Sequence, residues 1–357
     1  MEKIYNSAKN IFLTAAFSVM AVVTTNAQNA SITVNAGSTA NGSWSGGTAG
    51  PYVFTPNANG ATIVNTDIQD RLTGANGFTK GNVTVNTACN SCSEAGNITI
   101  SNAITAANTG TTVATLAFNA QNNINIDANI NLTGATGTTG ASGAGFPPAV
   151  GGTGGAGGYA INLSFATTNS VSAITLNNSN SVTIVATGGT GGTGGAGGGG
   201  QNGGVGGAGG KGGTITFNSA GSLSIGANCS VTSSGGTGGA GGAAGGGGGA
   251  TAGATGANGA AGDISLTGSN GITLAGNLTA TGTTNGNFTI NDGNQTVTTG
   301  GGINDGQTAG VIAGGNLTKL GSGKFNIAGT NTYTGTTTIT AGTMRPSAGT
   351  IAANQNG

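Results

Sequence analysis

Residues 188–213 read GGTGGTGGAGGGGQNGGVGGAGGKGG, almost pure glycine with small spacers. Glycine recurs at Gly188, Gly191, Gly194 and every third position on to Gly212. Two other stretches share the frame. Residues 134–158 hold a looser G-x-x pattern, from Gly134 to Gly143 and again from Gly152 to Gly158. Residues 235–262 open as GGTGGAGGA and close as GATGANGAAG. What these three insertions do decides how the rest of the chain is read.

Phosphate, calcium and collagen chemistry each ask for something the insertions lack. A phosphate-binding P-loop needs Ser or Thr after its Gly-Lys, and Lys211 is followed by Gly212. A dinucleotide turn needs a helix to present its N-terminus to the pyrophosphate, and none is expected after these glycines. Calcium-binding nonapeptides need a recurring Asp, absent from all three stretches. Collagen winding needs abundant proline, and only Pro147 and Pro148 are present. A period of three is also that of polyproline II, which rises about 3.1 Å per residue. The frame breaks near each midpoint, at Phe146–Pro148, Gly200–Asn202 and around Gly247, where a hairpin of two legs would turn. Two readings stand: a bundle of polyproline II hairpins sharing backbone hydrogen bonds, or flexible glycine-rich loops. Ordering a backbone costs about 1–2 kcal/mol per residue, and a hydrogen bond returns about 1 kcal/mol. An isolated hairpin is therefore expected to be disordered, and only stacked hairpins could hold.

Outside the insertions the chain is a series of short runs with apolar residues at alternate positions, such as NITISNAIT, NINIDANINLTG, AINLSF, SVTIVATG and DISLTG. Period two with Asn, Gly, Ser or Thr at the ends reads as short strands. No helical apolar period is seen after residue 27. Tyr159–Thr187 (29 residues) and Thr214–Ser234 (21 residues) separate the insertions, and each interval fits three strands. These fall near 160–165, 173–176 and 182–186, then near 214–217, 222–225 and 230–233. That is one turn of a stacked repeat architecture. Hairpin signals between paired runs are scarce, which disfavours a sandwich. The expected fold is all-β: a parallel β-helix, or β-solenoid, with three glycine-rich insertions leaving one corner of successive coils. The expected divisions are a β-rich start over 28–130, coils with insertions over 131–262, and C-terminal coils over 263–357.

Composition narrows the function. Charged residues are 4% of the chain, against roughly 25% in ordinary soluble domains, and the net charge is zero. Nothing in it resembles the basic footprint of a nucleic-acid binder. At the N-terminus, Lys3 and Lys9 precede the apolar run Ile11–Val23, with Thr25 and Ala27 before Gln28. This reads as a secretory signal over 1–27, and no integral membrane segment is expected in the mature chain. With no histidine and three cysteines, a tetrahedral zinc site is not expected. Cys89 and Cys92, in CNSC, read as a local disulfide, and Cys229 as a small buried hydrophobe.

Residues 316–344 read NLTKLGSGKFNIAGTNTYTGTTTITAGTM. This stretch resembles the autotransporter-associated β-strand repeat, also called the passenger-associated transport repeat. The matching positions are Leu317, Lys319, Gly321, Gly323, Ile327, Gly329, Asn331 through Gly335, Thr337, Ile339, Gly342 and Thr343. Phe325 and Met344 stand where leucine is usual, and Thr336 where a second glycine is usual. The resemblance covers one copy of the repeat. It implies a right-handed β-helix in an exported passenger, often an adhesin, at the surface of a Gram-negative bacterium. It implies an outer-membrane translocator or anchoring partner, and no catalytic residues. Phe325, Ile327 and Ile339 are expected to point inward, with glycines and Asn331 at corners. The chain ends in IAANQNG without a recognisable barrel or sorting domain.

Parallel β-helices also carry polysaccharide-cleaving sites, which need clustered carboxylates or a basic side chain. The carboxylates after residue 27 are Asp67, Asp70, Glu94, Asp127, Asp263, Asp292 and Asp305. Only Asp67 and Asp70 are close, beside Arg71, and they read as a solvated turn or end cap. No catalytic, cofactor-binding or metal-ligating residue is therefore assigned, and no cofactor is expected. The leading expectation is a cell-surface structural or adhesin-like protein with an unknown surface ligand. The alternatives are an ice- or carbohydrate-binding solenoid, for which threonine ladders such as TYTGTTTIT are the motive, and a polysaccharide-degrading enzyme.

Overall fold

The computed structural model describes residues 28–293, 312–327 and 333–346. The signal sequence expected over 1–27, Asp305, and Gly329, Asn331 and Thr332 of the repeat lie outside these residues. The chain is mostly β, with parallel sheets and one short helix.

It visits three large sheets in turn, and a fourth pairs 324–327 with 343–346 in parallel. The first sheet stacks 272–274, 222–225, 173–176, 124–126, 98–100, 32–35 and 61–64. The second stacks 312–313, 277–279, 230–232, 183–185, 130–134 and 104–108. The third runs from 42–45 and 52–56 through 83–86, 115–120, 162–167, 215–219, 264–268, 288–291 and 317–320 to 337–339. Every pairing in these sheets is parallel except 42–45 with 52–56. The result is solenoid-like, and within it the expected strand triplets appear at 162–167, 173–176 and 183–185, then at 215–219, 222–225 and 230–232.

Alternation explains the stacking. Inward residues meet their counterparts one coil away, as in the rows Ile98, Ile124, Ile174, Leu223, Ile272 and Ile104, Ile130, Ile184, Val231, Leu278. All are at most 1% exposed. Phe118, Phe165 and Phe217 stack face to face with centroids 5.4 and 5.0 Å apart. Corners are tied from coil to coil by side chains. Asn97 Oδ1 accepts the Asn123 amide, and Asn123 Oδ1 accepts that of Ala173. Asn82, Asn162 and Asp263 do the same for Thr115, Thr214 and Asn287 at another corner. A short amide or carboxylate thus satisfies a main-chain donor that the turn would otherwise strand.

One departure from the sequence reading lies at the N-terminal end. Residues Asn65–Thr73 form a helix, α1, which packs against 104–108 at the edge of the second sheet. Its apolar period consists only of Ile68 and Leu72, both fully buried, which is too little for a sequence pattern to show. Gly74 ends it at φ 79°, its amide donating to Asp70 O. Arg71 is not solvated as expected. It is 7% exposed, with its guanidinium carbon 4.2 Å from the ring centroids of both Trp44 and Phe78.

Candidate functional surface: the glycine fingers

Each insertion leaves the second sheet and returns to the third, so all three emerge from one corner of successive coils. The fingers span 134–158, 188–213 and 235–262, and each folds back on itself. In the first, Gly152, Gly155 and Gly158 donate to Ala141, Thr138 and Ala135, an antiparallel register. Between fingers the first legs run parallel: Gly137 and Gly140 donate to Thr190 and Thr193, and Gly191 and Gly194 to Thr237 and Ala240. The return legs repeat this, with Gly154 donating to Val205 and Gly206 to Ala254. Diagonal bonds such as Gly192 to Gly155 and Gly239 to Gly207 knit the two layers together. These bonds are 2.7–2.9 Å long.

The frame has a division of labour. In a G-G-x triplet of the second finger, the first glycine donates to the next finger and the second to the preceding finger or the facing leg. The x residue turns outward. Neither glycine could carry a side chain. A Cβ on Gly191 would lie 1.9 Å from Gly207 O, and one on Gly192 1.9 Å from Thr138 O. No real Cβ contact is that short, so the legs would have to part.

The looser frame of the outer legs follows from the same geometry. The first leg of the first finger has no finger beneath it, and Ala135, Thr138 and Ala141 occupy the places of Gly189, Gly192 and Gly195. The last leg of the third finger has none above it, and there Thr255 and Asn258 occupy the corresponding outward places and are exposed. The base of the third finger is closed by the coil beyond it: Gly235 donates to Thr281 O and Ala261 to Thr284 O, while Asn258 Oδ1 accepts the Gly238 amide. Glycine content per triplet thus drops only in the two outermost legs. The return leg of the first finger and the first leg of the third keep two glycines per triplet. There the facing leg crowds one glycine and the neighbouring finger the other, as at Gly155 and Gly154 or Gly238 and Gly239. Glycines also make the tips, Gly200 at φ 72° being one.

Two side-chain surfaces result. The face of the first legs is threonine-rich, with Thr136, Thr190 and Thr237 in one row and Thr139 and Thr193 in the next. Thr190 and Thr237 hydroxyls are 3.4 Å apart. The face of the return legs is mixed, with Val150 (57% exposed), Asn202 and Thr251 in one row, Thr153, Val205 (45%) and Ala254 in the next, and Ala156 and Ala208 in a third. At the tip of the first finger Phe146 is 99% exposed, whereas Phe54, Phe118, Phe165, Phe217, Phe288 and Phe325 are buried. The sequence marked 146–148 only as a turn; an aromatic beside two prolines in a stretch with no other large residue was the available signal.

The carboxylates are spread over the coils. Glu94 Oε2 accepts the amides of Ser31 and Gly60, Asp127 Oδ1 accepts Asn177 Nδ2, and Asp67 is bonded by Thr39 Oγ1 and lies 3.9 Å from Arg71 Nη1. Asp70 Oδ2 accepts Asn76 Nδ2. Among the described residues no three His, Cys, Asp or Glu come together as a metal site would require. Cys89 and Cys92 are disulfide-bonded, with Cα atoms 5.6 Å apart. Cys229 is free and buried, and burial pushes its thiol above the ordinary value against the pull of backbone hydrogen bonds.

The C-terminal coils carry the repeat. Leu317, Phe325 and Tyr333 are buried, and Tyr333 OH shares a 2.9 Å bond with Thr337 Oγ1. Lys319 is fully buried in the inward row, its Nζ donating to Asp292 Oδ1 at 2.8 Å and to the carbonyls of Leu320 and Gly321 at 2.6 and 2.9 Å. Ile339 departs from expectation. It pairs in register with Lys319 yet is 48% exposed, because among the described residues its strand, 337–339, is the last of the third sheet. The side chain of Ile327 is outside the description.

Residues 317–345 match the passenger-associated-transport-repeat family. Comparison with curated proteins and with solved structures gives no match. The repeat suggests an autotransporter passenger, exported to the cell surface with the help of a translocator. Among the described residues no helix is long and apolar enough to cross a membrane.

Proposed function

We propose that this chain is a surface-displayed, adhesin-like passenger: a parallel β-helix that holds out a slab of polyproline II hairpins as a binding arm. The observation that carries the reading is the repeat at 317–345, whose first strand, 317–320, stacks directly on the coil strand 288–291. The period-three bonding of the fingers supports the polyproline II assignment. At about 3.1 Å per residue, legs of ten residues carry Phe146 roughly 30 Å from the coil. A fully exposed aromatic at that distance, with Val150 exposed a few residues on, suits contact with a partner. The arm carries no catalytic step in this reading.

Biotinylation of intact producing cells tests display, because the Lys211 ammonium is exposed on the slab. Labelling of the protein on intact cells is expected. An unlabelled protein recovered from the periplasm would refute display. Release of reducing ends from plant or microbial polysaccharides would overturn the non-catalytic part. The threonine rows favour a second reading, an ice-binding face. Thermal hysteresis in purified protein, lost on Thr190→Tyr, would select it over the adhesin.

A further inference from the structure

Beside the root of the first finger lies an open cleft of about 370 Å³, lined by Ala49, Pro51, Lys80, Asn82, Thr112 and Val113 among others. Its volume falls at the small end of the range for ligand sites. It occupies the corner from which the fingers leave, one coil earlier. The Tyr159 amide, where the first finger re-enters the coil, donates to Gly110 O.

The cleft holds a fixed cation without a counter-charge. Lys80 Nζ donates to Asn108 Oδ1 at 2.8 Å and to Thr112 O at 3.1 Å. Asn108 is fully buried and is itself held, Nδ2 donating to the carbonyls of Thr112 and Tyr159 and Oδ1 accepting the Gly110 amide. The ion pairs of the described residues are Arg71–Asp67 and Lys319–Asp292, so Lys80 faces no carboxylate. Two of its three N–H groups point at neutral acceptors, and one remains. A buried side chain with every polar atom engaged therefore positions an ammonium at the wall of a cleft. This is preorganisation of the kind that lowers the cost of binding. Pro51, Val113 and Ala49 add apolar surface to a lining that also holds Asn82 and Thr112.

We infer that this cleft binds an anionic sugar unit, the sugar carboxylate on Lys80 and the C–H face of the ring on Pro51 and Val113. The inference does not depend on surface display or on the finger slab, and the fingers contribute only the Tyr159 anchor. Titration of the full chain with D-glucuronate, D-glucose and sodium sulfate, followed by calorimetry or by the Val113 methyl resonances, tests it. Glucuronate is expected to saturate with a dissociation constant on the order of 1–10 mM, and glucose and sulfate at least tenfold more weakly. Lys80→Gln is expected to weaken glucuronate at least tenfold, with Lys80→Arg restoring part of it. Val113→Asp, at a position 38% exposed, adds a repelling carboxylate without touching the Asn108 network and should weaken it equally. Three results overturn the inference: no saturation with glucuronate, glucose or sulfate binding as well as glucuronate, or unchanged affinity in a folded Lys80→Gln or Val113→Asp protein.

Discussion

Gly192→Ala inverts the usual effect of a glycine substitution. In a flexible loop, replacing glycine by alanine stabilises a protein by about 0.4–1 kcal/mol, because the unfolded chain loses freedom. Here the new methyl would lie 1.9 Å from Thr138 O and 2.5 Å from its carbonyl carbon. Relief requires the first legs of two fingers to separate by well over an ångström. The bonds Gly137 to Thr190, Gly140 to Thr193 and Gly192 to Gly155, each 2.8 Å, stretch together. Three weakened bonds at about 1 kcal/mol each, with one buried donor left unsatisfied at about 1 kcal/mol or more, give a destabilisation on the order of 4 kcal/mol. The control is Thr193→Ala in the next position, where the side chain is exposed and the effect should stay within about 0.5 kcal/mol. Circular dichroism melts and limited proteolysis of the fingers provide the readout. A Gly192→Ala protein that melts at or above the wild-type temperature, with fingers no easier to cleave, would refute the interlocked slab.

Other substitutions probe the coil itself. Lys319→Met leaves Asp292, 3% exposed, as a buried carboxylate without its partner, and should cost about 3–5 kcal/mol in thermal melts; Lys319→Met with Asp292→Leu should recover most of it. Phe165→Ala removes the middle ring of the aromatic stack and should cost about 3–5 kcal/mol in denaturant unfolding. Since burial raises the Cys229 thiol, its thiolate is scarce at neutral pH, and iodoacetamide should leave it unmodified in the native protein while labelling it in urea.

The strands were legible because their outer positions are Thr, Ser and Asn and their inner ones Ile, Leu, Val and Phe, a period that survives insertion of long fingers. The common corner of the fingers was legible for the same reason, since each insertion fell between the third strand of one triplet and the first of the next. Whether the fingers are ordered was not legible from any one of them. Gly192 bonds to Gly155 and is crowded by Thr138, residues 37 and 54 positions away, so the order is a property of the stack. The contrast between GGTGGTGGA and GATGANGAAG was the clue, one glycine per triplet marking an outermost leg. Helix α1 escaped notice because nine residues with Ile68 and Leu72 alone give too short a period. Ile339 was misplaced because alternation assigns a face to a residue and says nothing about whether another layer covers it. Lys80 belongs to no motif, and only the buried Asn108, 28 positions on, shows that it is held.

Amide hydrogen exchange across 188–213 tests the interlocked slab most directly. The account predicts a three-residue rhythm: Gly188, Gly189, Gly191, Gly192, Gly194 and Gly195 protected, with Thr190, Thr193 and Ala196, whose amides have no backbone acceptor, exchanging fast. In the last leg of the third finger protection should fall to Gly253, Gly256 and Gly259, with Ala261 and Gly262 held only at the root. Uniformly fast exchange through the second finger would contradict it.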